Sequence, residues 1–186
     1  MSTLVATTGS LIAAGVLVFS VASHLRHFAE FVGLLHRQQV WGRAARGVGG
    51  LVVAAEAAVG LLTATLLVVG QPSTLRLALA AATGVYLAYA GFNGWLLAHR
   101  PAAPCACGRI GHPISNWAVL RALSLGACAS SGLAGASSTA VPALGLQFLL
   151  PLLAALAIGP LLWVLPAAMH DPSARLRPLR PVSEGP

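Results

Sequence analysis

Residues 47–70 read GVGGLVVAAEAAVGLLTATLLVVG, 24 residues with one ionisable side chain, Glu56, and no proline. As an α-helix this stretch rises about 36 Å at 1.5 Å per residue, more than the roughly 30 Å of hydrocarbon in a bilayer. A helix on the surface of a soluble domain carries a polar face; this one has none, so lipid is the solvent that suits it. Working outward, the pattern repeats. Apolar runs cover Leu4 to Val21 (reaching His24 and Arg26), Leu77 to Ala98 (closed by His99, Arg100 and Pro101), Ser115 to Gly132, and Ala143 to Leu165. The expected fold is all-α: a polytopic integral membrane bundle of about five transmembrane helices, a four-helix core plus one.

Composition agrees. The chain has 186 residues, 57% hydrophobic and 8% charged, with a mean hydropathy of +0.82. Soluble domains carry about a quarter charged residues. The net charge of +7 comes from Arg, since Lys is absent. Such basicity suits nucleic acid in a soluble chain, but here the Arg residues sit at the ends of apolar runs, where they set orientation in a membrane. The partner read from this pattern is the lipid bilayer, not nucleic acid. No basic n-region precedes the first run, the first Arg being Arg26, so this run is expected to be a retained helix rather than a signal peptide. Residues 1–170 form one expected transmembrane domain. Residues 171–186, rich in Arg and Pro, form an expected disordered tail against an anionic lipid surface.

Between the first two runs, Leu25, Phe28, Phe31, Val32 and Leu35 recur at helical spacing. They predict an extension of the first helix or a short interfacial helix. Gln71-Pro72-Ser73 reads as a turn. Small residues align at Ala80, Gly84 and Ala88, and again at Gly126, Ser130 and Ala134, the spacing that lets membrane helices approach closely.

With five spans, the first loop, the loop at Pro101 to Pro113 and the C-terminal tail share one side. That side collects Arg26, Arg37, Arg43, Arg46, Arg100, Arg109, Arg121, Arg175, Arg177 and Arg180, against Arg76 alone on the other. The positive-inside rule makes it cytoplasmic in a multi-pass plasma-membrane protein with its N-terminus outside. The polar residues inside the apolar runs gather toward the same side: Glu56, Asn93 and Arg121.

Cys105-Ala106-Cys107-Gly108 lies in that second loop, between prolines at 101, 104 and 113. Two thiols this close form only a tight disulfide ring, and such bonds are readily reduced. Arg109 and Arg100 favour thiolate. A redox-active dithiol is one reading; two small residues in a turn is another; metal ligation by Cys105, Cys107 and His112 is a third. Cys128, deep in an apolar run, reads as a packing residue. Glu56 is expensive in lipid unless neutralised or paired. It reads either as a proton-handling acid or as a structural partner, and Arg121 is its candidate counter-ion. The alternative for Arg121 is to snorkel to the interface.

These residues together resemble the methylamine-utilisation protein MauE family, related to DoxX-like membrane proteins. The resemblance runs from about residue 9 to residue 165. It rests on Glu56 followed by Gly60-Leu61-Leu62, on Cys105-Ala106-Cys107-Gly108, on Pro113-Ile114-Ser115, and on Trp117 with Leu120-Arg121. The family motif C-G-C-F-G here has Ala106 for its first glycine and lacks the aromatic. Arg121 is followed by Ala122 where the family often has Asn. The resemblance implies a membrane component supporting maturation of a secreted or periplasmic redox enzyme, such as methylamine dehydrogenase. It also implies passage of disulfide or reducing equivalents to a thioredoxin-like partner. Cys105 and Cys107 would then be the exchanging pair, helped by Arg109, with Glu56, Arg121 and Asn93 supporting them inside the bundle. An enzyme of this kind would be a thiol–disulfide oxidoreductase, and no cofactor is expected. Two alternatives stand beside it: a non-enzymatic DoxX-like scaffold or small-molecule permease, and a quinone-linked disulfide oxidoreductase. Enzymes of the latter kind usually carry further loop cysteines, which this chain lacks.

Overall fold

The computed structural model describes residues 2–105, 113–136 and 146–168. Cys107, Arg109, His112 and the C-terminal tail lie outside the described residues. The described residues form a bundle of six α-helices: α1 (Ser2–Arg26), α2 (Phe28–Arg37), α3 (Ala45–Val69), α4 (Pro72–His99), α5 (Asn116–Gly135) and α6 (Leu146–Ala168). No strand occurs among the described residues; one isolated antiparallel bridge joins Pro104 to Pro113. Four helices, α1, α3, α4 and α5, are long and apolar enough to cross a membrane. The fifth expected span corresponds to α6, whose stretch Leu149–Leu162 is a shorter apolar helix. The all-α polytopic reading is therefore the observed architecture.

α1 is the central helix. It packs on α3, α5 and α6, and α4 in turn packs on α5 and α3. The core is built of layers. Ile12, Ala13, Val16 and Leu17 of α1 meet Ala82 and Tyr86 of α4 and Leu125 and Ala129 of α5. Nearer the α3–α4 connection, Leu66 and Leu67 meet Leu75, Ala78 and Leu79. Many large apolar residues point outward, among them Leu51, Leu61, Val68, Leu77, Leu87 and Leu161. That distribution fits lipid, which leaves little hydrophobic drive between helices and makes close packing the main cohesive term.

The closest packing is between α1 and α5. A Cβ at Gly9 would overlap the carbonyl oxygen of Cys128 and the Ser131 hydroxyl, and one at Gly132 would overlap the Ser10 hydroxyl. α3 meets α1 at Gly60, where a Cβ would lie 3.0 Å from that of Leu17. The small-residue stripes contribute less than their spacing suggests. Ala80 and Ala88 are exposed and Gly84 has open space beside it, so that stripe faces away from the bundle. In the other stripe Gly126 is buried against Tyr86 and Leu87, while Ser130 and Ala134 are exposed. Spacing alone identifies a stripe but not the direction it faces.

The α3–α4 hairpin corrects one boundary. Gln71-Pro72-Ser73 is not all turn, because α4 begins at Pro72. Proline suits the first helical position, where its missing N–H would have no intrahelical partner. The turn is confined to Gly70, which ends α3 at φ 75°, and Gln71.

The expected helix after α1 is a separate element. The chain breaks at His27, and α2 turns its Phe31 and Leu35 onto Ala45 and Val53 of α3. α2 sits close enough that a Cβ on Gly49 would lie 3.3–3.5 Å from Val32, Leu35 and Phe31. Its apolar face thus serves the bundle and fixes where the first loop ends.

Candidate functional site

Two polar assemblies lie toward one end of the bundle. The first is the base of the cysteine loop. Ala103 and Pro104 run antiparallel to Pro113 and Ile114, and the Ile114 N–H donates to the Ala103 carbonyl at 2.9 Å. The loop containing Cys105 and Cys107 therefore leaves and returns through a closed neck. Leu96, Ala103 and Ile114 are buried beneath it, and Val40, Phe92, Leu97 and Cys105 pack against them. Cys105 is half-buried at this seam.

The first loop braces the neck. Gln38, the C-terminal cap of α2, is buried and donates from Nε2 to the Pro104 carbonyl at 3.0 Å. Arg100 donates from Nη1 to the Gln38 carbonyl at 3.0 Å and reaches Gln39 Oε1 at 3.5 Å. Gln39 has a φ of 55°, a left-handed conformation that costs a non-glycine residue roughly 1 kcal/mol or more. The aromatic rings of Trp41, Phe92, Trp95 and His99 follow one another along this side, with centroids 5.7, 6.4 and 5.1 Å apart. The two loops expected to share a side thus touch directly.

The second assembly is intramembrane and centres on Glu56 of α3, which is 2% exposed. The Ser20 hydroxyl lies 3.0 and 3.1 Å from its two carboxylate oxygens, and the Tyr89 hydroxyl donates to Oε1 at 2.6 Å. His24 Nε2 stands 3.7 Å from Oε2, and its ring packs on Phe31 at a centroid distance of 4.1 Å. Three helices therefore converge on one carboxylate: α1 through Ser20 and His24, α3 through Glu56, and α4 through Tyr89. These hydroxyl donors partner the carboxyl group and lower the cost of keeping it out of water. One layer deeper, the Tyr86 hydroxyl donates to the Ala13 carbonyl at 2.8 Å.

Arg121 of α5 is half-buried, and its charge acts on both His24 and Tyr86; that of Glu56 also acts on Tyr86. Arg121 therefore belongs to the electrostatic neighbourhood of Glu56. Asn93 is buried on α4, about one turn from Tyr89. Cys128 packs against the central core around Leu125 and Ala129 and is remote in chain position from the neck. Among the described residues no group of three or more His, Cys, Asp or Glu is arranged to hold a metal ion. Cys107 and His112, two members of the alternative metal set, are outside the described residues.

Sequence reasoning picked out Glu56, Asn93 and Arg121 but missed Ser20 and Tyr89 as partners of the acid, and named His24 only as lying at the end of the first apolar run. A faint signal existed. Ser20 and His24 are four residues apart, as are Tyr89 and Asn93, so each pair shares a helix face.

No curated protein and no solved structure matches the chain. The model of the family described as methylamine utilisation protein MauE matches residues 1–136, which run from α1 to the end of α5 and include the first loop, the cysteine loop, Glu56 and Arg121. On that match and this architecture, the chain belongs to the MauE family and is a multi-pass membrane protein.

Proposed function

We propose that this protein is a membrane thiol–disulfide relay or maturation factor. In this reading it serves a secreted or periplasmic redox enzyme of the methylamine dehydrogenase type. The observation that carries the reading is the closed neck beneath Cys105, which fixes the base of a two-cysteine loop to the rigid end of the bundle. A loop that only connected two spans would need no such brace. The exchange partner is a thioredoxin-like protein. One thiolate of the Cys105–Cys107 pair attacks the partner's disulfide, forming a mixed disulfide and releasing one partner thiolate. The second thiol, losing its proton, then attacks that mixed disulfide. The pair closes as a disulfide and the partner leaves as a dithiol, two electrons reduced. The reverse sequence delivers a disulfide. Arg109 supports the thiolate, while Glu56, Arg121 and Asn93 organise the bundle below.

The Arg-rich end is assigned to the cytoplasm, from ten Arg on that side against one on the other. Oxidation followed by alkylation tests pair and side together. After mild oxidation of the purified chain and denaturing alkylation, mass spectrometry is expected to show two thiols lost, Cys105 and Cys107, and Cys128 retained. Oxidation of Cys128 with either loop cysteine contradicts the assignment. On intact cells a membrane-impermeant alkylating reagent is expected to spare both loop cysteines, and rapid modification of either reverses the orientation.

A further inference from the structure

We propose that the segment from Arg26 to Arg46 is a binding surface for anionic phospholipid headgroups, held rigid against the end of the bundle. It carries Arg26, Arg37, Arg43 and Arg46, all exposed, and a single acid, Glu30. Glu30 already has His27 at 3.8 Å. Among the described residues none of the four arginines forms an ion pair with a carboxylate. Two other arginines of this end are used inside the protein. Arg100 donates to the Gln38 carbonyl, and Arg121 is half-buried in the neighbourhood of Glu56.

Orientation alone does not account for this surface. Setting topology needs only a surplus of positive charge in the loop while the chain inserts. Here the loop is folded. Phe31 and Leu35 pin α2 to Ala45 and Val53 of α3, and a turn through Gly42 at φ 47° leads into α3. Stability does not account for it either. Arg46 stands in the first turn of α3 and Arg43 just ahead of it, where the helix dipole disfavours a cation, and that turn holds no acidic residue. Unpaired cations mounted on one frame repel each other unless an anion from outside joins them.

The level of the surface in the membrane identifies that anion. The span Thr3–Arg26 has 24 residues, about 36 Å of helix, so a helix that starts in one headgroup layer delivers Arg26 to the other. Leu25, one residue toward the hydrocarbon, is 62% exposed. Trp41 lies within the segment, and its ring leads through Phe92 to Trp95 and His99 at the end of α4. Such rings settle at the membrane interface. The anions at this depth are lipid phosphates, and a headgroup such as phosphatidylglycerol presents its phosphate without the choline cation that offsets it in phosphatidylcholine. Each arginine near an anionic leaflet strengthens the attraction by roughly fivefold.

Lipid retention by the purified full chain tests this. The protein is equilibrated in detergent with equal amounts of phosphatidylglycerol and phosphatidylcholine and washed, and the retained lipid is extracted and counted by mass spectrometry. Phosphatidylglycerol is expected to be retained at least about fivefold over phosphatidylcholine at low salt. About 1 M salt, which cuts the screening length to about 3 Å, is expected to remove most of that preference. The triple variant Arg37→Gln, Arg43→Gln, Arg46→Gln is expected to retain the two lipids within about twofold of each other. Arg76→Gln, at the opposite end, and the tail variant Arg175→Gln, Arg177→Gln, Arg180→Gln are expected to keep the preference of the parent. Equal retention by the parent overturns the proposal, and is the result expected if the surface serves an acidic protein instead. A preference that survives the triple variant, or that is lost with the tail arginines alone, also overturns it. Should the triple variant fail to fold, the parent decides: a preference unmoved by salt overturns the proposal.

Discussion

Glu56→Gln is expected to lower the stability of the detergent-solubilised protein by roughly 3 kcal/mol, the largest loss of any polar substitution in the bundle. The carboxylate accepts from Ser20 and Tyr89 and has His24 3.7 Å away. A glutamine carries two donors on one end, so one of its faces meets hydroxyl donors with another donor. It also removes the negative charge near Arg121. We expect Glu56 and Arg121 to be mutual counter-ions, since both act on Tyr86 and Arg121 also acts on His24 beside the carboxylate. Stranding a buried charge is what makes breaking such a pair costly. Arg121→Gln in the Glu56→Gln background is accordingly expected to restore part of the loss. Tyr89→Phe, which removes a single donor to the carboxylate, is expected to cost about half as much. Thermal melts of the four members of the cycle measure the coupling. Strictly additive losses from the two single changes mean that the two side chains do not meet.

The second large effect is steric. Gly9→Val is expected to cost about 3 kcal/mol, at the upper end for overpacking, because the added carbons run into the main chain of α5 at Cys128 as well as into the Ser131 hydroxyl, and the main chain cannot swing aside. α1 and α5 then have to separate along their length. In lipid the lost contacts are not replaced by a stronger hydrophobic drive. The control is Gly84→Val, on a face with open space, where a change within about 0.5 kcal/mol is expected. Melting temperature in detergent reads both. Equal effects at the two positions would show that the α1–α5 contact is not the tight seam of the bundle.

These two cases also mark what the sequence discloses. Helix number and type were legible because lipid demands long apolar runs, and Gly47 to Gly70 leaves no other reading. Glu56 was legible because one acid among 24 residues stands out. Its partners Ser20 and Tyr89 were not. A hydroxyl is cheap enough in a membrane helix to occur for many reasons, and its helix rotation depends on packing that a single sequence does not state. The small-residue stripes failed for the same reason. Ala80, Gly84 and Ala88 satisfy the spacing rule yet face outward, while Gly9 and Gly132, on different helices, make the closest approach. The amphipathic segment after α1 was readable as a helix from Phe28, Phe31 and Leu35, but its purpose was not. Only the fold shows that its end delivers Gln38 to the cysteine loop 66 residues away in the chain.

The relay reading comes down to whether the loop cysteines exchange with a thioredoxin-like protein. Cys105→Ser and Cys107→Ser each leave one loop thiol that can form the mixed disulfide but cannot resolve it. Cells expressing each variant, quenched with acid and alkylated, are then run on non-reducing gels, and the adduct is identified by mass spectrometry. The account predicts a covalent adduct with a thioredoxin-fold protein in at least one single variant, absent when both cysteines are serine and unaffected by Cys128→Ser. No adduct in either single variant, or one that survives the double substitution, would contradict it.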